Sequence, residues 1–204
     1  MYCILVAGMP AAGKSTMAKV ISERLKLPAI SKDAIKERLF DSVGFQSREE
    51  KVNLGIASMG IMYYASGQLM KAGLPFILEN NFEASEHGIK NLLEKYQYSA
   101  LTITLTGDYK VIYQRFLKRE NSPDRHRGHV VNDSYPEKKE NNLKTLKAEP
   151  ISYDNFVCGI EKRGFDAFCV DGRQIKVDTT DFSKINMEEL FSQIAAWKEE
   201  ILFF

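Results

Sequence analysis

The stretch ILVAGMPAAGKST, residues 4–16, decides how this chain is read. Gly8, Gly13, Lys14 and Ser15 fit G-x-x-x-x-G-K-S/T, a loop that wraps phosphate. The flanks agree with the motif. Cys3 to Ala7 is an apolar run that predicts a buried strand, and Met17, Ala18, Val20, Ile21 and Leu25 recur at helical spacing. The glycines allow a tight turn whose backbone N–H groups point inward, so that Gly8, Met9, Pro10, Ala11, Ala12, Gly13, Lys14, Ser15 and Thr16 form a cradle. The following helix adds partial positive charge where a phosphate would sit. In such a cradle Lys14 reaches the β- and γ-phosphates of ATP and Ser15 is a ligand for Mg²⁺. The alternative, a small-residue turn that only joins a strand to a helix, is disfavoured because motif and flanks point the same way.

Working outward, 204 residues with 44% hydrophobic and 27% charged content suit one α/β domain with a full core. The net charge of +1 gives no overall signal for nucleic acid or a membrane, though it leaves room for a local basic groove. The cysteines, Cys3, Cys158 and Cys169, form no C-x-x-C pair and are odd in number, which predicts reduced thiols in a cytoplasmic protein. No apolar run approaches the ~20 residues of a membrane span. The chain enters its first strand at once, so no secretory signal is expected.

After the first helix, Pro28 to Ser31 reads as a second strand with Asp33 at its carboxyl end. Ligands of open parallel sheets bind at those ends, so Asp33 is a candidate to accept a proton from a substrate hydroxyl. Capping the helix that starts near Ala34 is its competing role. Lys36 and Arg38 follow on that helix, where they could meet an anionic substrate or only solvent. Ser47 to Glu50 has the form of a capping box and opens an apolar-periodic helix to about Ala72, interrupted in sequence by Gly55, Gly60 and Gly67. Leu74 to Leu78 is the next strand. It ends at Glu79, a candidate to hold Mg²⁺ through water or to polarise the attacking hydroxyl, with Asn80 and Asn81 behind it.

Ser85 is expected to cap a helix to about Tyr96, and Ser99 to Leu105 is a β-branched strand. The helix after Asp108 runs into a basic segment. From Lys110 to His129 there are six Lys/Arg against two Asp/Glu. Pro123 and Gly128 break the helix there, which predicts a mobile turn whose arginines close over a triphosphate and stabilise charge on the departing phosphoryl group. His126 and His129 lack a third ligand for zinc. Pro136 predicts the start of a helix to about Ala148. Tyr153, Phe156, Val157 and Ile160 suggest a short helix, and Ala167–Val170 with Gln174–Asp178 suggest a hairpin. Asn186 caps a last helix, after which Phe203 and Phe204 are expected to pack back on the body.

Four places taken together resemble a known group: Gly8–Thr16, Ser31–Asp33, Glu79–Asn81, and Arg115–His129 with its R-x-x-x-R and R-H-x-G-H texture. The chain resembles small P-loop kinases of the nucleoside-kinase-like class, nearest to the group of polynucleotide 5′-kinase, zeta toxin and chloramphenicol phosphotransferase. The resemblance covers residues 1–148 in motif order. It implies a three-layer P-loop NTPase fold over residues 1–204, with a parallel sheet in the order 2-3-1-4-5 flanked by helices and a helical lid near residues 115–135. It implies ATP and Mg²⁺, Asp33 as the base, and Arg115, Arg119, Arg125 and Arg127 as the lid pool. Asp178, Thr179 and Thr180 resemble the adenine-side loop. Two departures stand out: Glu79 replaces the aspartate of many relatives, and residues 150–173 match no motif. The neutral overall charge favours a small hydroxyl-bearing acceptor. A polynucleotide 5′-hydroxyl, or a regulatory ATPase that phosphorylates nothing, are the rival readings.

Overall fold

The computed structural model describes residues 1–83, 87–137, 151–170 and 173–201. The expectations for Ser85, for most of the helix after Pro136, for the turn at residues 171–172 and for the two terminal phenylalanines lie outside them.

The first strand, β1 (Tyr2–Gly8), is the middle of a five-stranded parallel sheet in the order β2-β3-β1-β4-β5. Its partners are β3 (Phe76–Glu79) and β4 (Ser99–Thr106), with β2 (Ala29–Ser31) and β5 (Gln174–Asp178) at the edges. A strand buried on both faces reads as a continuous apolar run, which is why residues 3–7 show no polar alternation. The period of two still sorts its side chains. Ile4 and Val6 face one layer, with α1 (Lys14–Leu25) and α8 (Met187–Glu200), through Ile21, Ile194 and Trp197. Cys3, Leu5 and Ala7 face the other, with α3 (Arg48–Lys71) and α4 (Gly88–Tyr96), through Met62, Met70 and Leu93.

Every parallel strand must hand the chain to a crossover, and the caps show where each helix begins. Ser31 Oγ caps α2 (Lys32–Val43) by accepting from Ala34 N at 3.3 Å. Asp33, a candidate for that cap, lies instead in the first helical turn, where its charge suits the helix dipole. Ser47 Oγ accepts from Glu50 N at 3.2 Å, and α3 then runs unbroken for 24 residues through all three of its glycines. Gly67 lies under Leu92 and Tyr96 of α4, Gly55 lies beside Lys36 of α2, and Gly60 faces open space. Asp108 caps α5 (Tyr109–Glu120), Ser152 caps α7 (Tyr153–Arg163) and Asn186 caps α8. A single turn, α6 (Arg127–Val130), stands between α5 and residue 137.

The hairpin expected at residues 167–178 is absent. β5 pairs parallel with β4, and residues 167–170 form no strand. Val170 N donates instead to the Thr102 hydroxyl at 3.3 Å, and Phe168 stacks on Phe82 with ring centres 4.8 Å apart. These apolar residues cover one face of the sheet rather than extend its edge.

Gly8 ends β1 at φ +126°, and a Cβ there would stand 2.3 Å from Leu105 O. Gly8→Ala should therefore cost about 3 kcal/mol or more of unfolding free energy. Gly60→Ala, in open space on α3, should stabilise by about 1 kcal/mol. Urea denaturation of the two variants checks both signs.

Candidate functional site

The turn after β1 carries positive φ at Gly8, Ala11 and Gly13. Successive twists of this kind form a concave backbone nest suited to an anion, here at the start of α1. Gly13 has a second reason to lack a side chain: the Phe182 ring lies 2.0 Å from where its Cβ would be. Lys14 is 7% exposed, and its ammonium donates to Met9 O at 2.9 Å. Burial pulls its pKa down to about 8, against the opposing pull of Glu79 and Asp33, and Arg119 adds to the lowering.

A cleft of about 520 Å³ opens above this loop. Pro10, Ala11, Gly13, Lys14, Ser15 and Thr16 bound it below. Asp33 comes from the first turn of α2, Glu79 and Asn81 from the end of β3 and just beyond it, and Arg115, Phe116, Arg119, Glu120, Arg125 and His129 from α5 and the segment after it. Gly8, Met9 and Ala12 are buried behind the loop. The strand ends are tied together: Ser31 Oγ donates to Glu79 Oε2 at 2.5 Å while also capping α2. Ser31 thus aims the Glu79 carboxylate and fixes the helix that carries Asp33. Burial pushes Asp33 upward, but His129, Lys32, Arg125 and Lys14 outweigh it and hold its carboxyl below the usual range. His129 is itself held down to about 3 by burial and by Arg125. At neutral pH its ring is therefore uncharged, and Lys32, Arg125 and Lys14 keep Asp33 ionised.

The four arginines of the basic segment part company. Arg119 and Arg125 meet at Glu120, with Arg119 Nη2 and Arg125 Nε each 3.2 Å from its Oε1. Arg125 Nε is buried and not aligned to hydrogen-bond there. Arg115 clamps the carbonyls of Thr179 and Thr180 with its two terminal nitrogens and lies over the Phe182 ring. Arg127 does not line the cleft; it forms a two-pronged pair with Glu137 at 2.6 and 3.0 Å. Asp178 and Thr179 are also outside the lining. Asp178 Oδ1 accepts from Thr180 N at 2.7 Å, and the buried Thr179 hydroxyl donates to Thr106 O at 2.8 Å. They shape the loop that Arg115 grips, and that loop sets Phe182 on Gly13.

The segment after Pro123 is tied to α2 and α3 in this structure. His129 Nε2 lies 3.0 Å from Glu37 Oε1. Lys51 Nζ donates to His129 O at 2.7 Å and to Val131 O at 2.5 Å. Phe45 and Tyr135 exchange both backbone hydrogen bonds at 2.8 Å. Sequence reasoning missed the link from Ser31 to Glu79, Glu120, Lys51 and the place of His129 in the lining. A serine just before a helix was the available signal for the first; the others depend on partners far along the chain.

The chemistry of the donor set can be tested against ATP and Mg²⁺. The loop amides, Lys14 and the helix N-terminus suit a polyphosphate. Among the described residues no three His, Cys, Asp or Glu converge on a metal position. Mg²⁺ needs none, since it keeps waters and phosphate oxygens and takes one or two protein ligands. The Ser15 hydroxyl and the Glu79 carboxylate, both on the cleft, fit that demand.

The two buried lysines Lys14 and Lys51, both with pKa lowered by burial to about 8, make stability depend on pH. The unfolded chain holds these protons more tightly than the folded one between about pH 8 and 10.5, so stability rises as pH climbs through that window. The expected gain from pH 8 to 9.5 in the ligand-free protein is on the order of 1 kcal/mol per lysine. Urea midpoints at the two pH values measure it, and Lys51→Met should remove its share.

A parallel sheet in this order, with a glycine loop after its central strand and helices on both faces, defines the P-loop NTPase fold, in the form shared by small kinases. Within that class the chain belongs to the AAA domain family, whose profile matches residues 4–144. A search of curated proteins found no significant match. Solved structures match well. A protein of Chloroflexus aurantiacus described as an inferred kinase shares 25% identity, with 96% of this chain and 97% of that one covered and a TM-score of 0.75. A gluconokinase from Sinorhizobium meliloti matches at 16% identity, with coverage of 99% and 96% and a TM-score of 0.60. A shikimate kinase from Bacteroides thetaiotaomicron matches at 15%, with 98% of each chain covered and a TM-score of 0.51. No helix among the described residues is long and apolar enough to cross a membrane.

Proposed function

We propose that this chain is an ATP-dependent phosphotransferase that moves the γ-phosphoryl group onto a hydroxyl of a small molecule. The observation that supports it most is that Lys14 and the ionised Asp33 line one cleft with Arg119 and Arg125. A nucleotide-binding switch needs the first of these but not the other three. In this reading the acceptor oxygen attacks the γ-phosphorus, the bond to the β–γ bridging oxygen breaks, and the hydroxyl proton passes to Asp33. Lys14 and the two arginines offset the charge that shifts toward the departing ADP. Mg²⁺, when bound to the phosphates, would neutralise further charge there. Arg115 acts on the nucleotide side, through the loop that carries Phe182, rather than on the transferred group. Within the P-loop kinases, the order of the four motifs supports a place in the nucleoside-kinase-like group.

The net charge of +1 supports a small acceptor over a polynucleotide. A screen with γ-labelled ATP over small alcohols, nucleosides and oligonucleotides tests this. Label is expected in a small alcohol. Label on oligonucleotide 5′ ends would identify a polynucleotide kinase instead, and release as inorganic phosphate whatever the acceptor would mark a regulatory ATPase.

A further inference from the structure

Beside Asp33, between α2 and α3, positive charge accumulates beyond what the described residues neutralise. Lys36 lies one turn after Asp33 on the same face of α2. Its ammonium stands over the Phe40 ring, 5.3 Å from the centre, and 3.3 Å from the position a Cβ on Gly55 would take. Among the described residues it has no hydrogen bond and no ion pair. The nearby carboxylates are engaged elsewhere: Glu37 with His129 at 3.0 Å, and Asp33 with Lys32 at 3.9 Å. Burial first, then Lys32, with Arg48 and Arg125 in the same direction, pulls Lys36 down to about 8 against the single opposing pull of Asp33. Arg125 adds a second sign: its buried Nε, on the wall of the cleft, makes no hydrogen bond, and the Glu120 carboxylate it pairs with at 3.2 Å is shared with Arg119. Gly55 matters as well, since any side chain there would press on the Lys36 ammonium.

We infer that Lys36, assisted by Arg125, binds an anionic group on the acceptor, so that the substrate is a small hydroxy acid or phosphate ester rather than a neutral alcohol. The inference rests on the kinase reading. The spacing of one helical turn sets the two Cβ atoms about 5–6 Å apart, so that one small molecule can carry a hydroxyl to Asp33 and an anion to Lys36. An anion there supplies the missing counter-charge.

The test uses matched pairs: glycerate against glycerol, gluconate against sorbitol, and ribose 5-phosphate against ribose. Binding is measured by calorimetry on the full chain with Mg²⁺ and a non-hydrolysable ATP analogue, and transfer by γ-labelled ATP. The charged member of at least one pair should bind about 30-fold more tightly than its neutral partner, the factor a charge-assisted hydrogen bond supplies. The carboxylate and phosphate arms separate the two sources of anion. Lys36→Met should erase that preference while affinity for the nucleotide analogue stays within a factor of two, and Lys36→Arg should restore it. Lys36→Gln serves if the methionine variant does not fold. Equal binding of charged and neutral partners, no binding of either, or a preference untouched in both neutral variants would overturn the inference. Label transferred equally well to neutral acceptors would also overturn it while leaving the kinase reading in place. Failure to transfer label to any acceptor, with the preference in binding intact, would sink the kinase reading alone.

Discussion

Lys14→Ala is expected to lower ATP-dependent turnover by about 10²–10³-fold, the scale for losing a preorganised donor where charge develops. The same change should leave the melting temperature unchanged or slightly raised. Lys14 is 7% exposed, makes one hydrogen bond, to Met9 O, and has its pKa pulled down to about 8 by burial. Removing a buried, desolvated ammonium relieves a cost that a single carbonyl bond only partly offsets. Function and stability therefore move in different directions, which a merely structural lysine would not do. Steady-state kinetics and thermal melts on one preparation measure both. Unchanged turnover would remove the phosphate-loop assignment.

The second large effect concerns Asp33. Asp33→Asn should reduce transfer by about 10²–10⁴-fold, the range for a positioned proton acceptor. Affinity for ATP should change little. The carboxyl is held low by the cations around it, so it is ionised throughout the neutral range. A base of such low pKa takes a proton only late in the reaction. That suits phosphoryl transfer, whose loose transition state needs the hydroxyl oriented and hydrogen-bonded more than deprotonated. Wild-type kcat should accordingly show no acid limb from Asp33 between pH 5 and 8. Because the folded-state pKa lies below the usual value, Asp33 also contributes stability that is fully present above about pH 4 and is lost only in stronger acid. Retained transfer with weakened ATP binding in the asparagine variant would mean that Asp33 serves the nucleotide rather than the acceptor.

Much of the fold was legible because its signals are local. Buried parallel strands are apolar runs, and residues 3–7, 76–78 and 100–105 could hardly be anything else beside a phosphate loop. Ser47 and Asn186 sit where capping chemistry needs them. Strand order is different: it entered through likeness to known kinases, and the pairing of β1 with both β3 and β4 agrees with it. Ala167–Val170 was misread because an apolar stretch that covers a sheet face has the same composition as one that joins its edge. The hydroxyl of Thr102, 68 positions earlier in the chain, takes the N–H that a strand would have paired.

The site divides in the same way. Lys14, Ser15, Asp33 and Glu79 are fixed by motif and strand ends, and all four meet at the cleft. The arginines could not be ranked from sequence, because Arg125 and Arg127 stand two residues apart and turn to different partners, Glu120 and Glu137. Ser31 joins Glu79 across 48 positions, and Lys51 reaches His129 O across 78. Contacts of that range leave no periodic trace.

The central claim is that the loop after β1 grips a nucleotide's polyphosphate within reach of Asp33. A crystal structure with Mg²⁺ and a non-hydrolysable ATP analogue measures this directly. The account predicts β- and γ-phosphates on the amides of residues 9–15, Lys14 Nζ drawn from Met9 O to the γ-phosphate, and the Asp33 carboxylate facing that phosphate across room for a hydroxyl. A polyphosphate lodged elsewhere, or Asp33 walled off from it, would contradict the account.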